Sequence, residues 1–409
     1  MKFIFLVLMF TYYLWGVEGA IEVTKVVGEE RLPQLNIENS SSELELDGQK
    51  FHKMLSADMK VIALFDVNDS YSAQPFESAT HRSDMGYTLR YRLTNDGAGG
   101  YKAEVRLLQN NENLFAKTYF LKQQEMLVFL AHSIAYDINT KMGGMPVEWM
   151  KRKVLLVRSK GARHSEIIAA DYTLAYQRVI LSGGMYGFAK WANREQTDFY
   201  YTSLSDFSPT IYRVNLASGV KTFVVSSDGM AVCSDVSEDG NKLLLTLAPK
   251  GQPDVYLYSL STHEKKRLTD YSGIDVNGQF MENDTIAFVS NRFGKPNVFA
   301  QKIGSSAVTQ LLFEGKNNSS FSAYHQFVVY KTRDEGGSFD LHLASLGNNG
   351  IKQLTTSGNN DYPRFSYDGE AILHIKHEGS RSLVGIIRLG LNKSFTFPLS
   401  IGRIQSLDW

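Results

Sequence analysis

Asp239-Gly-Asn-Lys-Leu-Leu-Leu-Thr-Leu-Ala-Pro-Lys-Gly-Gln-Pro-Asp-Val-Tyr-Leu-Tyr-Ser-Leu260 holds, in order, a polar turn, an apolar strand, a Pro/Gly turn and a second short strand. Asp-Gly favours tight hairpin geometry, and short apolar or alternating runs bounded by such turns read as strands. The second of these strands recurs along the chain. Thr210-Ile-Tyr-Arg-Val-Asn-Leu216, Asp254-Val-Tyr-Leu-Tyr-Ser-Leu260, Asn297-Val-Phe-Ala-Gln-Lys-Ile303, Asp340-Leu-His-Leu-Ala-Ser-Leu346 and Ser382-Leu-Val-Gly-Ile-Ile-Arg388 share its form. Their second residues, Ile211, Val255, Val298, Leu341 and Leu383, stand 44, 43, 43 and 42 positions apart, and Ile167 lies another 44 upstream.

Each repeat has more than this one strand. Val154, Phe199, Leu243, Ile286, Val328 and Ile372 begin a strand about 12 residues earlier. After a Gly/Ser/Asn turn comes a third strand, as in Lys265-Lys-Arg-Leu-Thr269 or Ile351-Lys-Gln-Leu-Thr355. A further strand opens each unit and ends in Trp191, Val236, Phe280, Phe321, Phe365 or Trp409. Four strands per unit of about 43 residues is the pattern of β-propeller blades. The unit from Lys153 lacks its opening strand, and Ile401-Gly-Arg-Ile-Gln-Ser-Leu-Asp-Trp409 is an opening strand with no blade after it. Joining the two closes a six-bladed ring and removes the sheet edges of an open array. The expected fold is therefore an α/β N-terminal domain followed by an all-β six-bladed propeller closed by the C-terminal strand. An open β-sandwich would not hold six repeats in matched register.

Residues 21–150 are expected to form the α/β domain. A helical stripe of Phe51, Met54 and Leu55 falls within 48–56, strands are expected at 61–65, 87–93 and 101–108, and a long helix over 122–142 presents Met126, Leu127, Leu130, Ile134 and Ile138. Gly143-Gly-Met-Pro146 links this domain to the propeller of 151–409. Residues 21–37 show no helical period and read as a flexible arm or an edge strand.

The first residues give an address. Lys2 precedes an apolar run from Phe3 to Phe10 that continues to Trp15 and ends in Gly19 and Ala20. This is the layout of a secretory signal, residues 1–20, cleaved near Gly19 or Ala20; the alternative is an uncleaved membrane anchor, for which the apolar run is short. No later stretch reaches spanning length without charges, so no stable membrane insertion is expected. Cys233 is the only cysteine, which rules out an internal disulfide and fits an exported bacterial chain in the periplasm. Lys+Arg and Asp+Glu both total 43, so no net field draws the protein to nucleic acid. Hydrophobic residues at 43% and charged residues at 21% fit a chain with a real core.

Little in the sequence carries catalytic chemistry. No Gly-x-Ser-x-Gly elbow is present. Cys233 has no Cys/His companions and reads as a packed small residue. His374 and His377 are three apart on a strand and point to opposite faces. Asp96-Gly-Ala-Gly-Gly100 opens a strand rather than a helix, and Ser182-Gly-Gly-Met-Tyr-Gly187 joins two blades; both read as turns, not phosphate loops. The expectation is no catalytic residue, no cofactor and no dedicated metal ligand, although a metal held between blades stays open. The alternatives are a propeller-based lyase or other enzyme, and a generic propeller binding module.

This combination resembles the TolB family, the periplasmic component of the Tol-Pal system, over essentially the whole chain. The resemblance rests most on Asp239-Gly-Asn-Lys-Leu-Leu-Leu245, 284–299, Phe313-Glu-Gly-Lys-Asn-Asn-Ser319 and Asp361-Tyr-Pro-Arg-Phe-Ser-Tyr-Asp-Gly369. The family's Ser-Pro-Asp-Gly turn is degraded at 192–195, 281–284 and 323–326. The resemblance implies a monomeric, non-enzymatic protein that binds the lipoprotein Pal at the propeller mouth and the C-terminal domain of TolA through its N-terminal arm. Together these would maintain the outer membrane and support constriction at cell division. The loops that lead into the opening strands are expected to line the mouth, with Met185, Tyr186, Met230, Ile274, Asp275, Asn277, Asn317, Asn318, Asn360, Asp361 and Tyr362 as candidate contacts. On the arm the candidates are Ile21, Val23, Lys25 and Val27, an alternating stretch able to add as a strand to a partner's sheet.

Overall fold

The computed structural model describes residues 32–41, 44–78, 86–399 and 402–409. The signal segment and the arm residues Ile21, Val23, Lys25 and Val27 lie outside these residues.

Repetition in the sequence becomes repetition in space. The first blade is Tyr186–Trp191, Asp198–Ser203, Thr210–Asn215 and Lys221–Ser226, antiparallel and ordered outward from the central channel. Four more blades follow, with innermost strands Ala231–Val236, Asp275–Met281, Phe321–Tyr324 and Asn359–Phe365. Within each, a turn chosen by local chemistry joins the first two strands. At 237–240 the Ser237 hydroxyl donates to Asp239, the Lys242 amide donates to Ser237 Oγ, and Gly240 takes φ +71°, a conformation most residues avoid. Where that motif is degraded, Asn283 and Asp284 both take positive φ instead, the geometry that a two-residue hairpin needs.

The sixth blade is composite. Arg403–Asp408 is its innermost strand and pairs antiparallel with Val154–Gly161, from Arg403 opposite Ser159 to Asp408 opposite Leu155. Trp409 is buried, and its indole N–H donates to the Phe365 carbonyl of the fifth blade at 2.9 Å. Polar side chains on innermost strands also stitch neighbouring blades. Asp408 accepts the Trp191 amide at 2.9 Å, Asp235 accepts the Phe280 amide at 2.9 Å, Gln279 bonds both Phe321 and Ala323, and Ser322 accepts the Phe365 amide at 3.2 Å. Near the axis, strands of different blades come too close for large apolar side chains on every position. The freed backbone amides must still be paired, and short polar side chains do this.

The α/β domain is a five-stranded sheet in the order β2-β1-β3-β4-β5. Its strands are β1 (Gln34–Asn39), β2 (Asp66–Ala73), β3 (Gly86–Asn95), β4 (Tyr101–Gln109) and β5 (Glu112–Leu121), with helices α1 (Glu45–Ile62) and α2 (Leu127–Lys141). Two expectations need correction. Residues 61–65 are not a strand: Val61 and Ile62 are the last turn of α1, which ends where Ala63 takes the left-handed φ of +56°. Their apolar run continues the stripe of Phe51, Leu55 and Met59 into the core. Residues up to Ile37 are not wholly an arm or an edge: β1 lies inside the sheet, parallel to both β2 and β3. Gly48 lets α1 lie against the end of β1, since a Cβ there would meet the Asn39 amide at 2.4 Å.

The two domains share one apolar cluster. Trp149, in the short helical turn Glu148–Lys151 between them, packs 5.3 Å from Tyr172 and 5.6 Å from Trp409, ring to ring. Buried Arg388 of the fifth blade donates to the carbonyls of Val61 at 3.1 Å and Ile62 at 2.8 Å, capping the end of α1. Among the described residues no helix is long and apolar enough to cross a membrane.

Candidate binding mouth of the propeller

The α/β domain covers the end of the propeller formed by loops such as 171–176 and 389–392. The opposite end is made by the segments leading into the innermost strands, together with the loops between each blade's second and third strands. The two sets are tied to each other. Leu204 N–H donates to Met185 O at 2.8 Å, Ala248 N–H to Met230 O at 2.9 Å, and the Ile274 amide donates to Asn291 Oδ1 at 2.8 Å.

The candidate contacts divide by what their atoms are doing. Met230 and Ile274 are exposed, at 37% and 45%, and stand on the rim. Met185, Asn277, Asn317 and Asp361 are half-buried, and Asp361 accepts from Lys331 Nζ at 2.7 Å. Asn277 sits on a bulge of its strand with φ +55°, its amide held by Thr246 Oγ1 at 3.0 Å. Tyr186 and Tyr362 are half-buried too, but their rings are engaged within the propeller: Tyr186 lies edge-on to Tyr201 at 5.4 Å, and Tyr362 packs on the main apolar cluster.

Three candidates are buried and present no accessible group at the mouth. Asp275 is fully buried and paired with Arg292 at 3.1 Å. Asn318 donates to Asn297 and to the Glu314 carbonyl, and Asn360 donates to the carbonyls of Phe339 and Ser357. These side chains shape the mouth from behind, because a buried carboxylate or amide needs partners of its own. Their Asn/Asp-rich loops look available in sequence, which does not show the direction a turn side chain takes.

What the sequence reading missed is aromatic. Phe207, Phe293 and Phe313 lie in loops at this same end, and their relative exposures are 107%, 74% and 80%. Single exposed apolar residues are ordinary, but with Met230 and Ile274 they place five on one end of the ring. The signal existed in Ser205-Asp-Phe-Ser-Pro209 and Arg292-Phe-Gly-Lys-Pro296, each an aromatic residue inside a polar Pro turn. These loops connect second to third strands and were not among those expected to matter.

Deeper in the channel, Lys190 reaches Asp408 at 3.1 Å and Asp235 at 3.3 Å, with Arg364 3.8 Å from Asp408. Burial alone would lower the Lys190 ammonium's pKa, but the two carboxylates outweigh it and hold the group above its ordinary value. These charges neutralise one another as a stitch between blades. Cys233 is buried, and burial pushes its thiol up, away from a reactive thiolate. His374 is buried, and burial lowers its pKa to about 4, whereas His377 bonds Ser382. Among the described residues no three His, Cys, Asp or Glu side chains group as a metal site.

Comparison with known proteins follows the same lines. Residues 143–409 match the family described as TolB beta propeller domain. The Tol-Pal system protein TolB of Campylobacter jejuni strain RM1221 is 42% identical over 416 residues, covering 100% of both chains. That of Wolinella succinogenes is 39% identical over 97% of both. The crystal structure of TolB from Acinetobacter baumannii superposes with a TM-score of 0.76 at 19% identity, covering 96% of this chain and 99% of that one, which speaks to the fold.

Proposed function

The chain belongs to the TolB family, and on that premise we propose that it is the periplasmic protein-binding component of a Tol-Pal system, exported by cleavage near Gly19 or Ala20. In this reading its mouth receives Pal, its arm at Ile21, Val23, Lys25 and Val27 adds as a strand to the C-terminal domain of TolA, and the two contacts support outer-membrane integrity and constriction at division. The observation that carries the reading is the set of exposed Phe207, Phe293 and Phe313 beside Met230 and Ile274 at the uncovered end of the ring. Apolar anchors ringed by polar turns are what a protein partner uses. A rigid ring also presents its loops at little entropic cost on binding.

The test is capture of Pal from envelope extract by the mature chain. Replacing Phe207, Phe293 and Phe313 together with Ser should weaken Pal binding by about 100-fold, on the order of 1 kcal/mol per anchor. Deleting residues 21–27 should abolish TolA binding and leave Pal binding intact. Undiminished Pal binding by the triple variant would remove the mouth assignment. Retained TolA binding after the deletion would remove the arm.

A further inference from the structure

Asp58 on α1, His132 on α2 and Asp171 in the propeller's 171–176 loop meet in one fully buried cluster across the domain boundary. His132 Nδ1 lies 2.8 Å from Asp58 Oδ2, and its Nε2 lies 3.4 Å from Asp171 Oδ2, an ion-pair contact. The Tyr172 hydroxyl crosses the same boundary to donate to Asp58 Oδ1, and its ring lies over the imidazole at 4.7 Å. We propose that this cluster is an ionic latch, in which the proton on His132 fastens the α/β domain to the propeller and makes domain docking sensitive to pH.

A carboxylate stands at each ring nitrogen, hydrogen-bonded at Nδ1 and within ion-pair range at Nε2, and this surrounding favours the imidazolium. Burial alone would lower the His132 pKa. The Asp58 and Asp171 carboxylates outweigh it and push the value up to about 9. Burial also pushes the Asp58 carboxyl up. The other titratable and charged groups around the cluster are Tyr172 and Tyr176 from the propeller loop, and Arg388 from the fifth blade. Tyr172 is held protonated, chiefly by burial. Arg388 grips α1 with a guanidinium still charged at neutral pH, so His132 is the cation of this boundary whose charge is lost first above neutral pH.

The direction follows from linkage. A group whose pKa is higher docked than free holds its proton more tightly in the docked state. Docking is therefore strongest below the ordinary histidine value of 6.5 and weakens as pH rises through about 9. The whole interval corresponds to at most about 300-fold in the docking equilibrium. Because the Asp58 pair stays within the α/β domain after release, only the part owed to Asp171 counts toward docking, and the expected loss lies well below that ceiling.

The experiment uses the full mature chain with spin labels at Glu112→Cys and Lys265→Cys, both exposed; native Cys233 is buried. The wild-type background should give one narrow interdomain distance up to pH 7 and a broadened distribution between pH 8 and 10. Asp171→Asn removes the propeller's charge but leaves the Asp58–His132 pair inside its own domain. It should broaden the distance already at pH 7 and flatten the pH dependence, and His132 should titrate at least one pH unit lower by NMR. A distance distribution unchanged from pH 6.5 to 10 in the wild type, which needs no folded variant to observe, overturns the latch. So does an Asp171→Asn protein identical to wild type at every pH.

Discussion

The two ends of the propeller are cut from the same repeat and finish in opposite ways. At the end under the α/β domain, Tyr172, Phe397, Trp409 and Arg388 are all buried, and their polar atoms are taken up by the same chain. At the mouth end, Phe207, Phe293 and Phe313 stand in solvent on loops of the same ring. Strand packing is shared by both ends, so it cannot be the source of the difference. The loops are: those at the covered end carry groups that answer the α/β domain, and those at the mouth leave large apolar groups in solvent, Phe293 even while edge-on to Phe299 at 5.5 Å. A ring of blades supplies rigidity symmetrically, and its two rims differ in what their loops leave exposed.

That contrast can be broken most severely at the seam beneath the covered end. Removing residues 403–409 should abolish cooperative melting of the propeller, because it strips the innermost strand from the sixth blade. Trp409→Ala alone should cost about 3–5 kcal/mol in denaturant unfolding, with a lowered Tm. A truncated chain that melts as the intact one does would mean the ring is not what holds the blades. Next in size is Arg388→Met, which orphans the buried carbonyls of Val61 and Ile62; about 3 kcal/mol of stability should go, read by earlier melting of the α/β domain.

At the mouth the effects should be smaller and should separate folding from binding. Asp275→Asn leaves Arg292 unpaired, and about 2 kcal/mol is expected, less than for a fully enclosed pair because Arg292 still reaches solvent. Its partner affinity, measured on the folded fraction, should not change. A lost partner contact with normal stability would return Asp275 to the binding surface. The smallest effect is Phe207→Ser, which should alter stability by no more than about 0.5 kcal/mol while still weakening partner capture. A larger loss of stability would show that Phe207 packs on its own chain.

The frame of the propeller was legible because six imperfect copies of one pattern correct one another. Trp191, Phe280, Phe365 and Trp409 mark equivalent positions even where the turn between strands has decayed. The α/β domain offers each element only once, and there the reading slipped. Val61-Ile-Ala-Leu-Phe65 has the composition of a strand, and only its phase with Phe51, Leu55 and Met59 shows it to be the end of a helix. Gln34-Leu-Asn-Ile-Glu-Asn39 overlaps the stretch 21–37 read as a flexible arm or an edge strand, whereas it is a strand inside the sheet. Its Glu38 is buried against Arg90, at 2.8 Å, and Asn36 meets Asn68 at 3.0 Å, pairings that no local pattern contains. At the mouth, residue type predicted position better than role. Met230 and Ile274 stand exposed at that end, whereas Asp275, Asn318 and Asn360 turn inward to partners of their own chain.

The closing seam and the domain attachment coincide, and this has a mechanical meaning. Arg388 ties the α/β domain to the fifth blade, while Tyr172 and the rings of Trp149 and Trp409 tie it to the sixth. The joint where the chain's distant ends meet lies inside the sixth blade, and the fifth blade immediately precedes its C-terminal strand in the chain. A pull on the α/β domain is thus shared by both sides of the joint rather than concentrated on one. The domain acts as a clasp laid across a buckle: while it stays seated, tension drawn through it does not peel Arg403–Asp408 from Val154–Gly161. Unseat the clasp, and the same tension would run down a single blade and load the joint edge-on.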